Sequence, residues 1–156
     1  MTVQPHLLFS ERWDQTITAD GSDGISTLIP ANGFRCSDSH LLVFSGRYTG
    51  TKTPQPTTVE WALVPQILIP HTSGYQFSMP GWQSVKPSYL GIQATGATVD
   101  EAGGRVVMSS SVNGTLSFDI RVDVSKIDGF QWLSVVTATG TNPARIGRSL
   151  TMSEHF

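Results

Sequence analysis

The sequence predicts an all-β fold: a single-domain antiparallel β-sandwich or closed barrel, with a jelly-roll-like arrangement among the options and negligible helix. Three observations support this prediction. Residues 115–124 alternate strictly between polar and apolar side chains, which is the period of a half-buried strand. Turn signals rich in Gly, Pro, Asn and Asp separate short apolar segments at spacings of about 8–12 residues, as in sandwiches and barrels. No stretch of about ten or more residues has a helical period.

Residues 115–124 give the clearest strand signal. Their apolar side chains fall on one face of the predicted strand and their polar side chains on the other. We therefore expect one face of this strand to be buried. The apolar set consists of Leu116, Phe118, Ile120, Val122 and Val124.

A hairpin is predicted immediately before this strand. Asn113-Gly114 is a strong short-range hairpin signal, because both residues tolerate the left-handed backbone that tight turns require. A three-residue loop, Val112–Gly114, pairs Met108 with Phe118 and places both on the same face. A two-residue turn stays open if both faces of the strands are buried, because a slip of one residue exchanges the faces.

Other strands are predicted where apolar residues run together or alternate between turn signals. Leu41–Tyr48 opens with a continuous apolar run, as fully buried strands do. Residues 67–69 lie between two prolines, which places them at a sheet edge or in a short crossing segment. Turns are predicted at Asp20–Gly24, Asn32-Gly33 and Pro80-Gly81. The remaining predicted strands are 13–19, 25–29, 59–63, 75–79, 89–95, 97–100, 131–139 and 146–152.

The predicted domain organisation is an N-terminal arm, residues 1–11, followed by one domain, residues 12–156. A chain of 156 residues is a normal length for one domain. In the arm, Pro5 opposes an early helix, and Leu7, Leu8 and Phe9 form a short apolar group. This group is predicted to be an oligomer arm that docks on a neighbouring subunit; packing against its own domain is the open alternative.

Composition and charge exclude several classes of protein. Only 14% of residues are charged and the formal net charge is −2. A nucleic-acid-binding protein needs a basic surface to displace counterions, so we expect no nucleic-acid partner. No apolar run approaches the ~18 residues that span a bilayer, and the first residues lack the basic and apolar regions of a signal peptide. We therefore expect neither membrane insertion nor export through a cleaved signal.

The sequence offers no convincing metal or cofactor site. The Asp20–Gly24 loop has the wrong spacing for a calcium loop and no distant Glu. The four histidines share no metal-ligand spacing. We predict neither a metal nor a cofactor. The histidines are His6, His40, His71 and His155.

The sequence also lacks a recognisable catalytic group. Cys36 is the single cysteine, and a lone thiol is more often a small buried hydrophobe than a nucleophile. Asp119 and Asp123 lie at i and i+4 on one strand face, with Arg121 between them. The cation would lower the pKa of both carboxyls and spoil a general acid, so we interpret the three as a solvated charge ladder. We predict no catalytic residues and a protein that is not an enzyme.

Aromatic residues around Pro80-Gly81 are the predicted contact site for a ligand or partner. Tyr75, Trp82 and Tyr89 flank this turn, where exposure is expected, and exposed rings stack on sugars or anchor protein interfaces. The alternative is that Trp82 folds back and closes the end of a barrel. By contrast Trp61, Phe77, Phe118 and Trp132 lie in strand patterns and are predicted core residues.

The chain as a whole resembles the small all-β structural proteins of tailed-phage and other virus particles. The resemblance lies in overall character: a short apolar arm, little charge, strands rich in Ser, Thr and Gly, Pro-rich loops and one cysteine. It implies a surface decoration, cement or tail protein of the virion, which binds other virion proteins and forms a homo-oligomer, preferably a trimer. A carbohydrate-binding adhesin or receptor-binding module, with a glycan as ligand, is the alternative.

Overall fold

The computed structural model describes residues 6–17, 20–36, 40–50, 58–69, 81–111, 115–139 and 144–155. These residues form eleven β-strands and one short 3-10 turn, Pro87–Leu90. The strands are β1 (His6–Ile17), β2 (Asp20–Arg35), β3 (Leu41–Gly50), β4 (Thr58–Ile69), β5 (Gly81–Ser84), β6 (Gln93–Thr95), β7 (Thr98–Asp100), β8 (Arg105–Ser111), β9 (Thr115–Asp123), β10 (Gly129–Thr139) and β11 (Ala144–His155).

The strands form two antiparallel sheets. Sheet A has the order β1-β11-β3-β9-β6, and sheet B has the order β2-β10-β4-β8-β7, with β5 also paired to β4. Each sheet ends in two edge strands, so the fold is an open sandwich and the barrel alternative was wrong. The predicted all-β sandwich is confirmed.

The strand order is that of a jelly roll. Without the short strands β5 to β7, four strands remain in each sheet, in the orders β1-β11-β3-β9 and β2-β10-β4-β8. Consecutive strands such as β3 and β4, or β10 and β11, lie in opposite sheets. Two Greek keys folded together in this way make the eight-stranded jelly roll.

The core lies between the two sheets and is rich in aromatic rings. The Phe44 ring lies 5.3 Å from Phe118 and 5.8 Å from Trp132 between centroids, and Trp61 meets Phe118 edge to face at 5.2 Å. Phe118 comes from sheet A and the two tryptophans from sheet B, so these contacts join the layers. The predicted burial of Trp61, Phe118 and Trp132 is confirmed; Phe77 lies outside the described residues.

The alternation predicted for residues 115–124 is confirmed. Phe118, Ile120, Val122 and Val124 are buried, and Leu116 is half-buried and packs against the core. The polar residues between them are exposed or half-exposed.

The predicted hairpin between β8 and β9 was wrong. β8 pairs with β4 and β7 in sheet B, whereas β9 pairs with β3 and β6 in sheet A. Met108 is opposite Trp61, and Phe118 is opposite Gly46. Met108 and Phe118 nevertheless both face the core. The inward side of a strand is buried in either arrangement, whether the strand pairs with its neighbour in sequence or lies in the opposite sheet. The predicted loop, residues 112–114, lies outside the described residues.

Two segments predicted as turns, Asp20–Gly24 and Asn32-Gly33, lie within strand β2. Asp20 and Gly24 lie in β2 opposite Thr139 and Thr137, and Gly33 lies near the end of the same strand. The β2–β10 register shifts between Phe130 and Trp132, and Gly33 has φ +72°. Glycine takes this left-handed conformation at little cost, so Asn32-Gly33 produces an irregularity inside the strand.

The N-terminal segment joins the sandwich. Residues 6–11 of the predicted arm form the first half of β1, the edge strand of sheet A, paired with β11. Leu7 is opposite Ser153 and Phe9 is opposite Met152, with a register shift between them at Leu8. The role of Leu7, Leu8 and Phe9 as an oligomer arm stays a prediction.

The segment from β5 to β7 adds one short strand to the end of each sheet, β6 to sheet A and β7 to sheet B, and pairs β5 with β4. The strand predicted over residues 89–95 was wrong in its first half, where the chain forms the 3-10 turn and only 93–95 are extended. Pro87 begins this turn and Gly91 ends it with φ +55°. Leu90 and Ile92 are buried in the core, so the turn covers core side chains between the sheets. In the described parts of the chain, no helix is long and apolar enough to cross a membrane.

Candidate interaction surface

Trp82 lies on β5 against two glycines. It is opposite Leu68 in the ladder with β4, and its side chain is 36% exposed. A Cβ atom added at Gly33 would lie 2.2 Å from Trp82 Cζ2, and one added at Gly129 would lie 3.2 Å from Cη2. The indole therefore occupies the space that side chains at Gly33 and Gly129 would fill. It packs on the outer surface of sheet B and leaves part of the ring in solvent.

Tyr89 lies on the 3-10 turn and is 62% exposed. The turn is held from one side, because Glu101 accepts hydrogen bonds from the Ser88 N–H (2.9 Å) and from the Ser88 hydroxyl. Among the described aromatic residues, Tyr89 and Trp82 make no ring contact with each other. Tyr75 lies outside the described residues. The predicted exposure of Trp82 and Tyr89 is confirmed, and their role in binding stays a prediction.

The outward face of sheet B is apolar. Leu133 on β10 lies between Leu28 on β2 and Val64 on β4, and Leu28 is 41% exposed. Cross-strand partners point to the same side of a sheet, so these three side chains form one outward row. In the next row Val135, Ala62 and Val107 are adjacent, with Ser26 on β2 and Thr98 on β7 at its two ends. Ala62 is buried, Leu28 is exposed, and the other aliphatic side chains of these rows are half-buried.

Polar groups at the margins of this face are bonded to one another. In the row beyond Leu133, Gln131 donates to Gln66 Oε1 at 2.7 Å, and Gln66 donates to Ser84 Oγ at 3.3 Å. On the side of β8, Arg105 forms ion pairs with Glu60 and Asp100, both at 3.1 Å. The Gly103 N–H and then Arg105 hold the pKa of Asp100 below its ordinary value.

The outward face of sheet A has the opposite character. On β9, Ser117, Arg121 and Asp123 are exposed, and Arg121 Nε lies 3.5 Å from Asp119 Oδ1. On β11, Ser149 and Thr151 are exposed. Asp119, Arg121 and Asp123 thus lie at the surface of a polar face, as expected of solvated charges. The two outward faces of the sandwich are chemically different.

An open cleft of about 750 Å³ lies along β7, beside β8 and the start of β9. Its apolar lining includes Ala97, Val99, Met108 and Leu116, and Arg105 lies at its margin. The Asp100 carboxylate and the Arg105 guanidinium there are paired with each other. The cleft therefore offers apolar contact and little chemistry.

A buried polar group joins the two layers at β11. Arg148 is 4% exposed and donates through Nη1 to Ser134 Oγ at 3.3 Å. Trp61 Nε1 also donates to this hydroxyl, and the Arg148 guanidinium lies 5.8 Å from the Trp61 ring centroid. Since Ser134 is itself completely buried, these contacts stabilise the interior and are closed to a ligand.

Cys36 is 6% exposed, which confirms the prediction of a buried thiol. Burial raises its pKa from the ordinary 9.0 to about 12, and the negative charges of Glu154 and Asp128 add to the effect. A thiol is nucleophilic only as the thiolate, so Cys36 is unsuited to nucleophilic chemistry in this environment.

Two of the four histidines lie close together in the fold. The His40 N–H donates to the His155 carbonyl at 2.9 Å, and the backbone of His6 is opposite Glu154. His71 lies outside the described residues. Across the described part of the chain, no group of three or more His, Cys, Asp and Glu side chains is placed to hold a metal ion.

Sequence reasoning missed the apolar outward face of sheet B, although its signal is present. Residues 132–136 and 61–64 are apolar at both odd and even positions, apart from Ser134. A strand with one solvated face would alternate, whereas a strand that is apolar on both sides is typical of a sheet covered on both faces. Because β4 and β10 are central strands of sheet B, their second apolar face points outward.

Comparisons with known proteins assign the chain to no family. No family model matches it, and no curated protein matches it. A solved structure of turnip yellow mosaic virus aligns with 98% of this chain and 95% of its own chain, at 16% sequence identity and a TM-score of 0.31. A likeness this loose decides neither fold nor function.

Proposed function

We propose that this protein is a structural component of a virus particle, a surface decoration, cement or tail protein, that acts through protein–protein contacts. The observation that carries the proposal is the apolar outward face of sheet B. Apolar faces of this kind on soluble proteins mark interaction sites, and here it spans the centre of a rigid sheet. A contact with another protein would bury this face.

The fold is consistent with this role. Jelly rolls occur in viral capsid proteins and in lectins, so the topology favours both of the roles predicted from the sequence and decides between neither. The resemblance to virion proteins noted in the sequence favours the first role.

The proposed role needs no catalysis. Among the chemistry-bearing groups described above, Arg105 is paired at the surface with Asp100 and Glu60, and Cys36 and Arg148 are buried in the core. Catalysis requires titratable groups that converge on a shared space beside a substrate. This arrangement of side chains provides surfaces for contact with a partner.

Size-exclusion chromatography with light scattering tests the proposal. We expect the purified chain to elute as a trimer or a larger assembly of defined mass. A monomer at every concentration that also binds no virus particle would contradict the proposed function. The trimer itself remains the number favoured from the sequence.

Carbohydrate binding is the second candidate, and the position of Trp82 favours it. An indole held on Gly33 and Gly129 with one part exposed is a fixed apolar platform, and such rings stack on sugars. A glycan array tests this role. Binding to a defined glycan that is lost in Trp82→Ala would support it, and an array without binding would exclude it.

A further inference from the structure

We propose that the outward face of sheet B is the surface through which two copies of this chain associate. The inference rests on the proposed function, because it names the surface that makes the protein–protein contact. Since two-fold pairing joins copies two by two, an assembly built from trimers would be two trimers joined through this face. We call this surface the B face and define it by Leu28, Val64, Val107, Leu133 and Val135, with Ala62 beneath them. Trp82 and Leu68 lie at one end of it.

A partner can cover the B face without burying unpaired polar groups of its central rows. Its centre is made of aliphatic side chains, and no charged side chain lies in the rows of Leu133 and Val135 among the described residues. The amides of Gln66 and Gln131 already bond to each other, and Gln131 is 2% exposed. A partner can therefore cover this row without leaving these amides unpaired, which is the main cost of burying polar groups.

Charge favours a second copy as the occupant. The charged side chains beside the face, Glu60, Asp100 and Arg105, form ion pairs with one another. Two carboxylates on one guanidinium sum to a formal charge of −1, and the exposed Arg35, opposite Gly129 at the Trp82 end, adds +1, so these described margins sum to zero. Two-fold association brings a surface against itself, which repels if the surface carries a net charge and is free of this penalty if it is neutral and apolar.

The size of the face is sufficient for a dimer. Four strands spaced about 4.8 Å apart and four outward rows spaced about 6.8 Å apart, those of Leu68, Gln66, Leu133 and Val135, cover roughly 500 Å² in projection. The accessible area of a face covered by side chains exceeds its projection. Two such faces together therefore approach the ~1,200 Å² at which specific interfaces begin.

The opposite sheet provides the internal comparison. Val43 lies on the central strand β3 of sheet A, is half-buried like Leu133, and is opposite Ser153 and Arg121 on the outward side. An aliphatic residue in this position has polar neighbours. A Glu at Val43 and a Glu at Leu133 thus introduce the same charge at a half-buried position on a central strand, and only Leu133 lies on the B face.

Sedimentation velocity over a concentration series tests the inference with Leu28→Glu, Leu133→Glu and Val43→Glu. We expect the wild-type chain and Val43→Glu to self-associate equally, and both B-face variants to raise the dissociation constant at least about tenfold, because an unpaired carboxylate is costly to bury. Leu28 is 41% exposed and lies on the edge strand β2, so a Glu there disturbs the fold less. If Leu133→Glu does not fold, the dissociation constant of Leu28→Glu tests the inference.

The outcomes separate the inference from the proposed function. If all three variants associate like the wild type, the B face is not the interface, and association through another surface still supports a structural role. If only the B-face variants dissociate, both proposals are supported. If the wild-type chain is monomeric at all concentrations, the inference is wrong, and particle binding then decides the proposed function alone. A glycan that binds the wild-type chain and is lost in Leu133→Glu would assign the face to a different occupant.

Discussion

Ser134 shows how a single small residue supports the interior of the sandwich. Its hydroxyl accepts hydrogen bonds from Trp61 on β4 and from Arg148 on β11, and so links sheet B to sheet A. A larger residue would not fit between these side chains, and an apolar one would leave them without this acceptor. One hydroxyl thus bonds to a side chain from each sheet.

Ser134→Ala is expected to lower the free energy of unfolding by about 2 kcal/mol, because two buried donors lose an acceptor. Ser149→Ala is the matched control, since Ser149 is exposed and follows Arg148 on β11. We expect this control to stay within about 0.5 kcal/mol of the wild type. Urea unfolding measures both, and equal stability of the two variants would contradict the role given to Ser134.

Cys36 makes the stability depend on pH in the alkaline range. The unfolded thiol loses its proton near pH 9.0, whereas the folded thiol keeps it until about pH 12. The contribution of the buried thiol is therefore complete below pH 9 and declines above it. From pH 8 to pH 10 we expect the free energy of unfolding to fall about 1.4 kcal/mol more in the wild type than in Cys36→Ala. Parallel pH profiles of the two proteins would show that the folded thiol has an ordinary pKa.

At the scale of the strand, sequence patterns predicted which side chains face inward but not which strands pair. Alternation over 115–124 identified Phe118 and Ile120 as buried, because burial depends only on the local period of 2. Pairing depends on long-range topology. The local signal at Asn113-Gly114 predicted a hairpin, whereas the jelly roll places β8 and β9 in different layers.

The interaction surface was predictable only in part, for a related reason. Trp82 and Tyr89 were identified because aromatic residues beside a Pro-Gly turn are often exposed. The apolar B face is assembled from β2, β4, β8 and β10, which are distant in sequence, and no single segment contains it. A sequence pattern can show that β4 and β10 are apolar on both sides, but only the strand order joins these sides into one surface.

The contact of β5 with β2 is tested by a double-mutant cycle on Gly33 and Trp82. In the wild type, Gly33→Ala places a methyl group against the indole and strains a backbone with φ +72°. In the Trp82→Ala background only the strain remains. We expect the cost of Gly33→Ala to be at least about 1 kcal/mol smaller in that background, by denaturant unfolding. Additive costs would mean that the indole does not rest on Gly33.

At the scale of the whole molecule, the two outward faces divide the surface into an apolar side and a polar side. Sheet B presents Leu28, Leu133 and Val64, whereas sheet A presents Ser, Thr and charged residues. A sandwich that only had to remain soluble would be expected to be polar on both faces. The asymmetry is the physical reason for expecting an assembly in which sheet B is covered and sheet A faces solvent.

Electron microscopy of the purified chain tests this account most directly. We predict oligomers of one size and shape, in which the B face of each copy is covered. A field of single subunits at high protein concentration, or irregular clumps without a repeating contact, would contradict the account.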